Sequence, residues 1–305
     1  MNAFETLRYS KIIFSCGMQE SAGRLPSALW WRENLERQFR RVCCVASQRE
    51  CPGCPVRKSC MVTFFFTPEL YLEGKKNFKG SAPLPFAAHY PDKYIKEAAG
   101  DGFKLGLTLF GPAIEKFPYW MIVLERLGSG KRLPFTISRA WAETATGPQD
   151  LFVQGDETVS CRPGATEPSA AGFGPDVSLS FVTPLRLMKH KKPLVAPDFR
   201  SFLESILQRF QNLNHFYGDS PAPASAEAVL AGAENVQMQP GGFRWCERSV
   251  YSRSQKKTIA MGGLLGQARF TGDPAPFEDM LMRGADWGIG KGTALGLGRY
   301  SIIDH

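Results

Sequence analysis

Apolar residues between positions 25 and 44 recur at three- and four-residue steps: Ala28, Trp31, Leu35, Phe39 and Val42. That period predicts a helix with one buried face, and Pro26 suits its first turn. The opposite face carries Arg32, Glu33, Glu36, Arg37, Arg40 and Arg41. Glu33–Arg37 and Glu36–Arg40 have the i,i+4 spacing of solvated ion pairs, which leaves Arg32 and Arg41 without an obvious partner. Residues 6–18 read as a strand ahead of this helix. Further on, Phe103–Phe110 alternates as a strand and stops at Gly111-Pro112, Tyr119–Leu127 reads as a helix ending at Gly128, and Leu133–Ala142 as another strand. No element is assigned to the excursion that follows the apolar run Met61–Phe66 and contains His89.

The second half repeats this order. Val177–Lys189 reads as a strand. A helix with Phe199, Phe202, Leu203, Ile206, Leu207, Phe210 and Leu213 on one face starts at Asp198, its expected N-cap, and runs to Tyr217. Phe243–Arg253 and Thr258–Thr271 read as strands, a short helix covers about 275–284, and Leu297–Ile303 closes the chain as a strand. Each half therefore reads strand–helix–strands–helix–strand. The fold class expected is α+β, with two tandem ferredoxin-like (RRM-like) β-α-β-β-α-β domains over residues 1–174 and 175–305.

Charge sharpens the picture. The chain of 305 residues carries a net charge of +8, which favours an acidic partner. No apolar run is long enough to span a bilayer, and the first residues lack the basic-then-apolar order of a secretory signal, so a cytoplasmic location is expected.

Of eight cysteines, several crowd into Cys43-Cys44 and Cys51-Pro-Gly-Cys54 through Cys60. Cys51 and Cys54 form a knuckle in which two thiolates grip one ion; Cys44 and Cys60 complete a four-sulfur tetrahedral shell. A structural zinc is the expected occupant, ahead of an iron–sulfur cluster and of disulfides. Cys43 is an alternative to Cys44. Cys16, Cys161 and Cys246 stand apart and are expected in the core.

Near the end lies Trp287-Gly-Ile-Gly-Lys-Gly-Thr-Ala-Leu-Gly-Leu-Gly-Arg-Tyr300. A Walker-type loop would need Gly at Ala285 and Ser or Thr at Gly292; a dinucleotide-binding run would need Gly at Thr293 or Leu295. Both patterns fail. The alternatives left are a glycine-rich hairpin and a loop whose bare amides, beside Lys291 and Arg299, grip a phosphate backbone.

This run, together with Tyr251-Ser-Arg-Ser-Gln-Lys-Lys257 and Met261-Gly-Gly-Leu-Leu-Gly266, resembles the C-terminal half of the CRISPR-associated endoribonucleases that process precursor CRISPR RNA, in the RAMP superfamily. The cluster Cys44–Cys60 and Leu107-Thr-Leu-Phe-Gly-Pro112 resemble one branch of that family. The resemblance implies binding of the crRNA repeat over basic surfaces and the glycine loop: Gly288, Gly290, Lys291, Gly292, Gly296, Gly298, Arg299, Arg32, Arg253 and Lys256. It implies metal-independent cleavage by the 2′-hydroxyl, leaving a 2′,3′-cyclic phosphate. Many members carry a histidine near the first helix, and this helix has none. The candidates for catalysis are then Arg24, Arg40, Arg41, Lys191, Arg253 and His190, with His215 expected in packing. A non-catalytic crRNA-binding subunit of a CRISPR effector complex is the alternative, and a zinc-stabilised interaction module the third reading. The first two would place other subunits of such a complex among the partners.

Overall fold

The computed structural model describes residues 4–18, 25–46, 50–73, 82–91, 102–156, 160, 162–168, 172–189, 192–221, 225–252 and 256–303. The chain divides into two compact units. The N-terminal unit comprises Leu7–Thr166 and Phe216–Asp219; the C-terminal unit comprises Met1–Thr6, Glu167–His215 and Ser220–His305.

The N-terminal unit runs β1 (Tyr9–Met18), α1 (Ala28–Cys43), α2 (Met61–Phe66), α3 (Pro68–Tyr71), β2 (Phe86–His89), β3 (Gly102–Phe110), α4 (Phe117–Gly128), β4 (Phe135–Thr144) and β5 (Gly147–Val153). Its sheet has the order β2-β3-β1-β4-β5, antiparallel at every junction. Leaving out the appended β5, the four strands stand in the alternating order of a ferredoxin-like unit. Ile12 and Phe14 of β1 meet Trp31, Leu35 and Phe39 of α1 and Trp120 of α4 in one core. Ser27, not Pro26, opens α1: its hydroxyl accepts from the Trp30 amide at 3.4 Å, so the proline precedes the cap instead of occupying the first turn.

The C-terminal unit runs β6 (Asp176–Leu185), the short pair β7 (Met188–Lys189) and β8 (Lys192–Pro193), α5 (Phe199–Tyr217), α6 (Ala226–Leu230), β9 (Gln237–Met238), β10 (Phe243–Cys246), β11 (Ser249–Ser252), β12 (Lys257–Ala260), β13 (Gly263–Thr271), α7 (Glu278–Trp287) and β14 (Tyr300–Ile303). Its main sheet has the order β10-β13-β6-β14, the same alternation as the first. Asp198 accepts from the Ser201 amide at 2.8 Å at the start of α5. Phe202, Leu203, Ile206 and Phe210 of that helix are buried, with Leu179, Ala268, Phe270 and Tyr300 of the sheet among the buried set. The stretch expected as a single strand over 258–271 is two, β12 and β13. They part at Met261-Gly262, where the chain leaves its pairing with β11 and joins β6 so closely that a Cβ on Gly263 would lie 2.5 Å from the Leu185 carbonyl oxygen.

Candidate nucleic-acid interface

Helix α7 ends in Gly288, and the glycine run folds back on β6. The Ile289 amide donates to the Gly298 carbonyl at 3.0 Å, closing the neck. Lys291 donates to the Arg186 carbonyl at 2.9 Å and Gly298 to that of Pro184 at 3.0 Å. Gly290 donates to the Ser205 hydroxyl at 3.1 Å, and Arg299 to the Thr183 hydroxyl at 2.8 Å. Leu295 and Leu297 both bond to the Gly292 carbonyl, and Gly296 to that of Thr293. The run is thus a packed loop with most of its amides already used. This corrects the expectation of a row of bare amides.

Its glycines serve close approach. Gly298, at φ +71°, would place a Cβ 1.8 Å from the Ile289 oxygen, and Gly290, at φ +77°, would place one 2.6 Å from the Arg186 oxygen. Ile289 and Leu297 are buried, as are Gly288, Gly296 and Gly298. The run is most open at its tip: the Lys291 side chain is exposed, and Gly290, Gly292, Thr293, Ala294, Leu295 and Arg299 are half-buried. The Gly292 and Thr293 amides make no hydrogen bond to other described residues. The tip therefore joins one ammonium to two unspent N–H donors and the Thr293 hydroxyl.

The end of β6 gathers the second motif as well. Arg186 donates from Nη1 to the Gly262 carbonyl at 3.3 Å while its own carbonyl receives Lys291. Gly262-Gly263 and the glycine loop, far apart in sequence, meet on Leu185-Arg186. Arg186, Thr183 and Ser205 carry no signature in the sequence. Lys256 is exposed at the β11–β12 turn, in the left-handed region at φ +50°. Tyr251 on the same hairpin is also exposed.

On α1 the cations are placed differently from their spacing. Glu36 takes both Arg32 at 3.0 Å and Arg40 at 3.1 Å. Arg32 also lies 4.5 Å from the centre of the Phe66 ring and is mostly buried, which corrects the view of it as partnerless. Arg37 bonds to Asn34. Arg40 reaches the Cys51 sulfur at 3.2 Å. Arg41 is exposed and has no ion-pair or hydrogen-bond partner among the described residues. Arg24, His190, Lys191 and Arg253, with Cys161, lie outside the described residues. His215 is exposed in the last turn of α5, not packed inside. His89 is half-buried on β2, its ring beside Gly106.

Cys44, Cys51, Cys54 and Cys60 line one pocket with Val45, Val56 and Arg57. The Cys54 amide donates to the Cys51 carbonyl at 3.2 Å, which forms the knuckle. These cysteines are free thiols, as are Cys16, Cys43 and Cys246. Four soft donors around one space match zinc in chemistry, but among the described residues no three such side chains converge on a point. Cys43 lies outside that lining; burial, then the neighbouring Cys60 and Cys44, pushes its thiol up to about 11.

Two ferredoxin-like units with one strand order, the second bearing a packed glycine loop, define a protein of tandem ferredoxin-like fold. Residues 7–164 match a family model described as an N-terminal domain (AF_1859_N), and residues 179–300 match the model of the CRISPR-associated endoribonuclease Cas6. The first half of the chain therefore carries an AF_1859_N domain, and the second half a domain of the CRISPR-associated endoribonuclease Cas6 family. Solved structures agree in fold. A Cas6 product complex is 17% identical, with 97% of this chain and 100% of that chain covered and a TM-score of 0.51. Thermus thermophilus Cas6 is 16% identical over 97% and 99%, with a TM-score of 0.51. A chain of a partial Cas6-RT-Cas1–Cas2 complex is 12% identical over 97% of this chain and 46% of that one, with a TM-score of 0.56. No curated protein matches the chain by sequence. No helix among the described residues is long and apolar enough to cross a membrane.

Proposed function

We propose that this protein binds the repeat of precursor CRISPR RNA and cleaves it to mature crRNA by metal-independent attack of the 2′-hydroxyl. The observation that carries the reading is the glycine-loop tip, where the Lys291 ammonium stands beside the unspent Gly292 and Thr293 amides. A phosphate diester offers two anionic oxygens to such donors, and the loop's internal bonds fix them before RNA arrives. The family supports RNA cleavage, and the solved Cas6 product complex supports RNA as the ligand.

In the reaction the 2′-oxygen attacks the adjacent phosphorus, the bond from phosphorus to the 5′-oxygen breaks, and a 2′,3′-cyclic phosphate and a 5′-hydroxyl result. One proton leaves the 2′-oxygen and one reaches the departing 5′-oxygen. Fixed cations stabilise the phosphorane between these steps. Arg41 is exposed and uncommitted, which suits that duty; Arg40 is held by Glu36 and Cys51, which suits it less. Arg24, His190, Lys191 and Arg253 remain candidates from sequence.

The four cysteines Cys44, Cys51, Cys54 and Cys60 would hold a structural zinc once their side chains turn inward, fixing the segment after α1 and taking no part in the chemistry. Partners would be the repeat RNA and, by analogy with the complex that contains Cas6, Cas1 and Cas2, other CRISPR subunits. The absence of a histidine from α1 favours a second reading, a subunit that binds crRNA without cutting it. One assay separates the two: incubation with repeat RNA in EDTA, with product ends mapped. Cyclic-phosphate ends, lost when the scissile 2′-hydroxyl is replaced by hydrogen, support cleavage. Intact RNA held by the protein supports the second reading, and cleavage of the 2′-deoxy strand overturns the mechanism.

A further inference from the structure

Strand alternation puts the two faces of the N-terminal sheet to different uses. Ala140 and Ala142 of β4 are wholly buried toward the helices, so Trp141 between them points to the other face. The pairing builds that face row by row. Across β3, β1, β4 and β5, Lys104, Ser15, Arg139 and Val153 form one row. His89, Gly106, Ile13, Trp141 and Asp150 form the next, across all five strands.

An indole on this face adds nothing to the core, yet it is supported from two sides. The Arg139 guanidinium lies 4.9 Å from the ring centre and the Lys104 ammonium 5.7 Å from it. Arg139 is fixed in turn by Asp150 at 2.6 Å. Lys104 is exposed, with no carboxylate partner among the described residues. Trp141 itself is half-buried. The equivalent face of the C-terminal sheet holds Ser180, Gln267 and Ser301, with Arg269 paired to Asp176 and no aromatic ring in those rows.

A flat ring with an unneutralised, mobile cation over it, at the solvent-reached end of the face of an RRM-like sheet that its helices leave uncovered, has the chemistry that takes an unpaired nucleobase once that cation swings aside. The base stacks on the ring, and an ammonium on a flexible stem swings to the adjoining phosphate. We propose that Trp141, flanked by Lys104 and Arg139, is a stacking platform for one unpaired base of single-stranded RNA, in addition to the backbone grip of the glycine loop. The proposal rests on RNA being the ligand of this chain.

The test compares two fluorescein-labelled probes of equal length on the full chain: a single-stranded oligouridylate and the same strand of abasic ribose phosphates, which keeps the charge and lacks the bases. The native protein is expected to prefer the oligouridylate by about tenfold, the scale of one base–aromatic stack. Trp141→Ala should bind both probes alike, Trp141→Phe should retain most of the preference, and Lys104→Ala should weaken both probes together. A Trp141→Ala protein that melts like the native one and keeps its preference overturns the platform. Equal native binding to both probes overturns it while leaving RNA as the ligand. Binding of neither probe removes the RNA reading along with it.

Discussion

The amide of Gly290 donates to the hydroxyl of Ser205 at 3.1 Å, tying the start of the glycine loop to the middle of α5. One turn further along that helix, Arg209 donates from Nε to the Trp287 carbonyl at 3.0 Å. Burial pushes the Arg209 guanidinium down to about 10, so this charge is held for geometry at some cost to itself. A loop fixed by such contacts loses little further entropy when a ligand arrives. Ser205→Ala removes the acceptor of the Gly290 amide. It should lower unfolding stability by about 1 kcal/mol and weaken RNA binding at unchanged global fold. Urea denaturation and a binding titration on the same protein check both; a variant of native stability and affinity would show that the bond contributes nothing.

Gly298→Ala should act on the fold first. The added methyl would sit 1.8 Å from the Ile289 oxygen at a backbone angle unfavourable to alanine, so neck and loop must shift. A loss of about 3 kcal/mol or more is expected, read as a lower melting temperature, with RNA binding falling in parallel. Gly290→Val belongs to the same class, because its side chain would run into the Arg186 carbonyl. A native melting curve for either would refute the packing described.

Lys291→Ala separates grip from fold. The side chain is exposed at the tip, so melting should be unchanged. Affinity for single-stranded RNA should fall, and the slope of log K against log salt should shrink by about 0.7, the share of one phosphate contact. An unchanged slope would remove Lys291 from the interface.

Where sequence periodicity and packing coincide, the fold was readable in advance. Trp31, Leu35 and Phe39 repeat at helical steps and are wholly buried; so do Phe202, Ile206 and Leu213 of α5. Met61–Phe66 is a helix whose residues from Val62 to Phe66 are all buried, and enclosure on every side erases the stripe that would announce it. The glycine loop was visible as a run but not as a packed element, because its partners Thr183, Pro184, Arg186 and Ser205 lie 85 to 116 residues away. On α1 the spacing allowed Glu36 to pair on either side, and it takes both arginines. Trp141 lies in a stretch readable as a strand, but which face the indole takes, and that Lys104 stands beside it, depends on register.

Arg40 and Arg41 are neighbours with opposite expected phenotypes. Arg40 bridges Glu36 and the Cys51 sulfur, so Arg40→Ala should lower stability by about 1 kcal/mol, the range of a partly exposed pair, and loosen the segment after α1. Arg41→Ala should leave melting unchanged and slow cleavage or weaken RNA binding. Thermal melts and single-turnover cleavage of repeat RNA distinguish them. The reverse pattern would assign the exposed charge to structure and the bridged one to RNA.

The knuckle offers the last test. Cys54 is nearly buried at the wall of a pocket shared with Cys44, Cys51 and Cys60, and serine there keeps the size while replacing a soft donor with a hard one. If these thiolates hold zinc, native protein purified without chelator should release one equivalent on treatment with a thiol-blocking reagent. Cys54→Ser should carry less metal and melt lower, because metal affinity of this kind contributes directly to folding. Cleavage per folded molecule should be unchanged, since four thiolates would fill the ion's tetrahedral shell and leave no position for substrate. Cys43→Ser should leave the metal in place, because Cys43 is not part of the pocket wall. Native protein free of zinc, or a Cys54→Ser variant with full metal content, would leave the four cysteines as a cluster of thiols and nothing more.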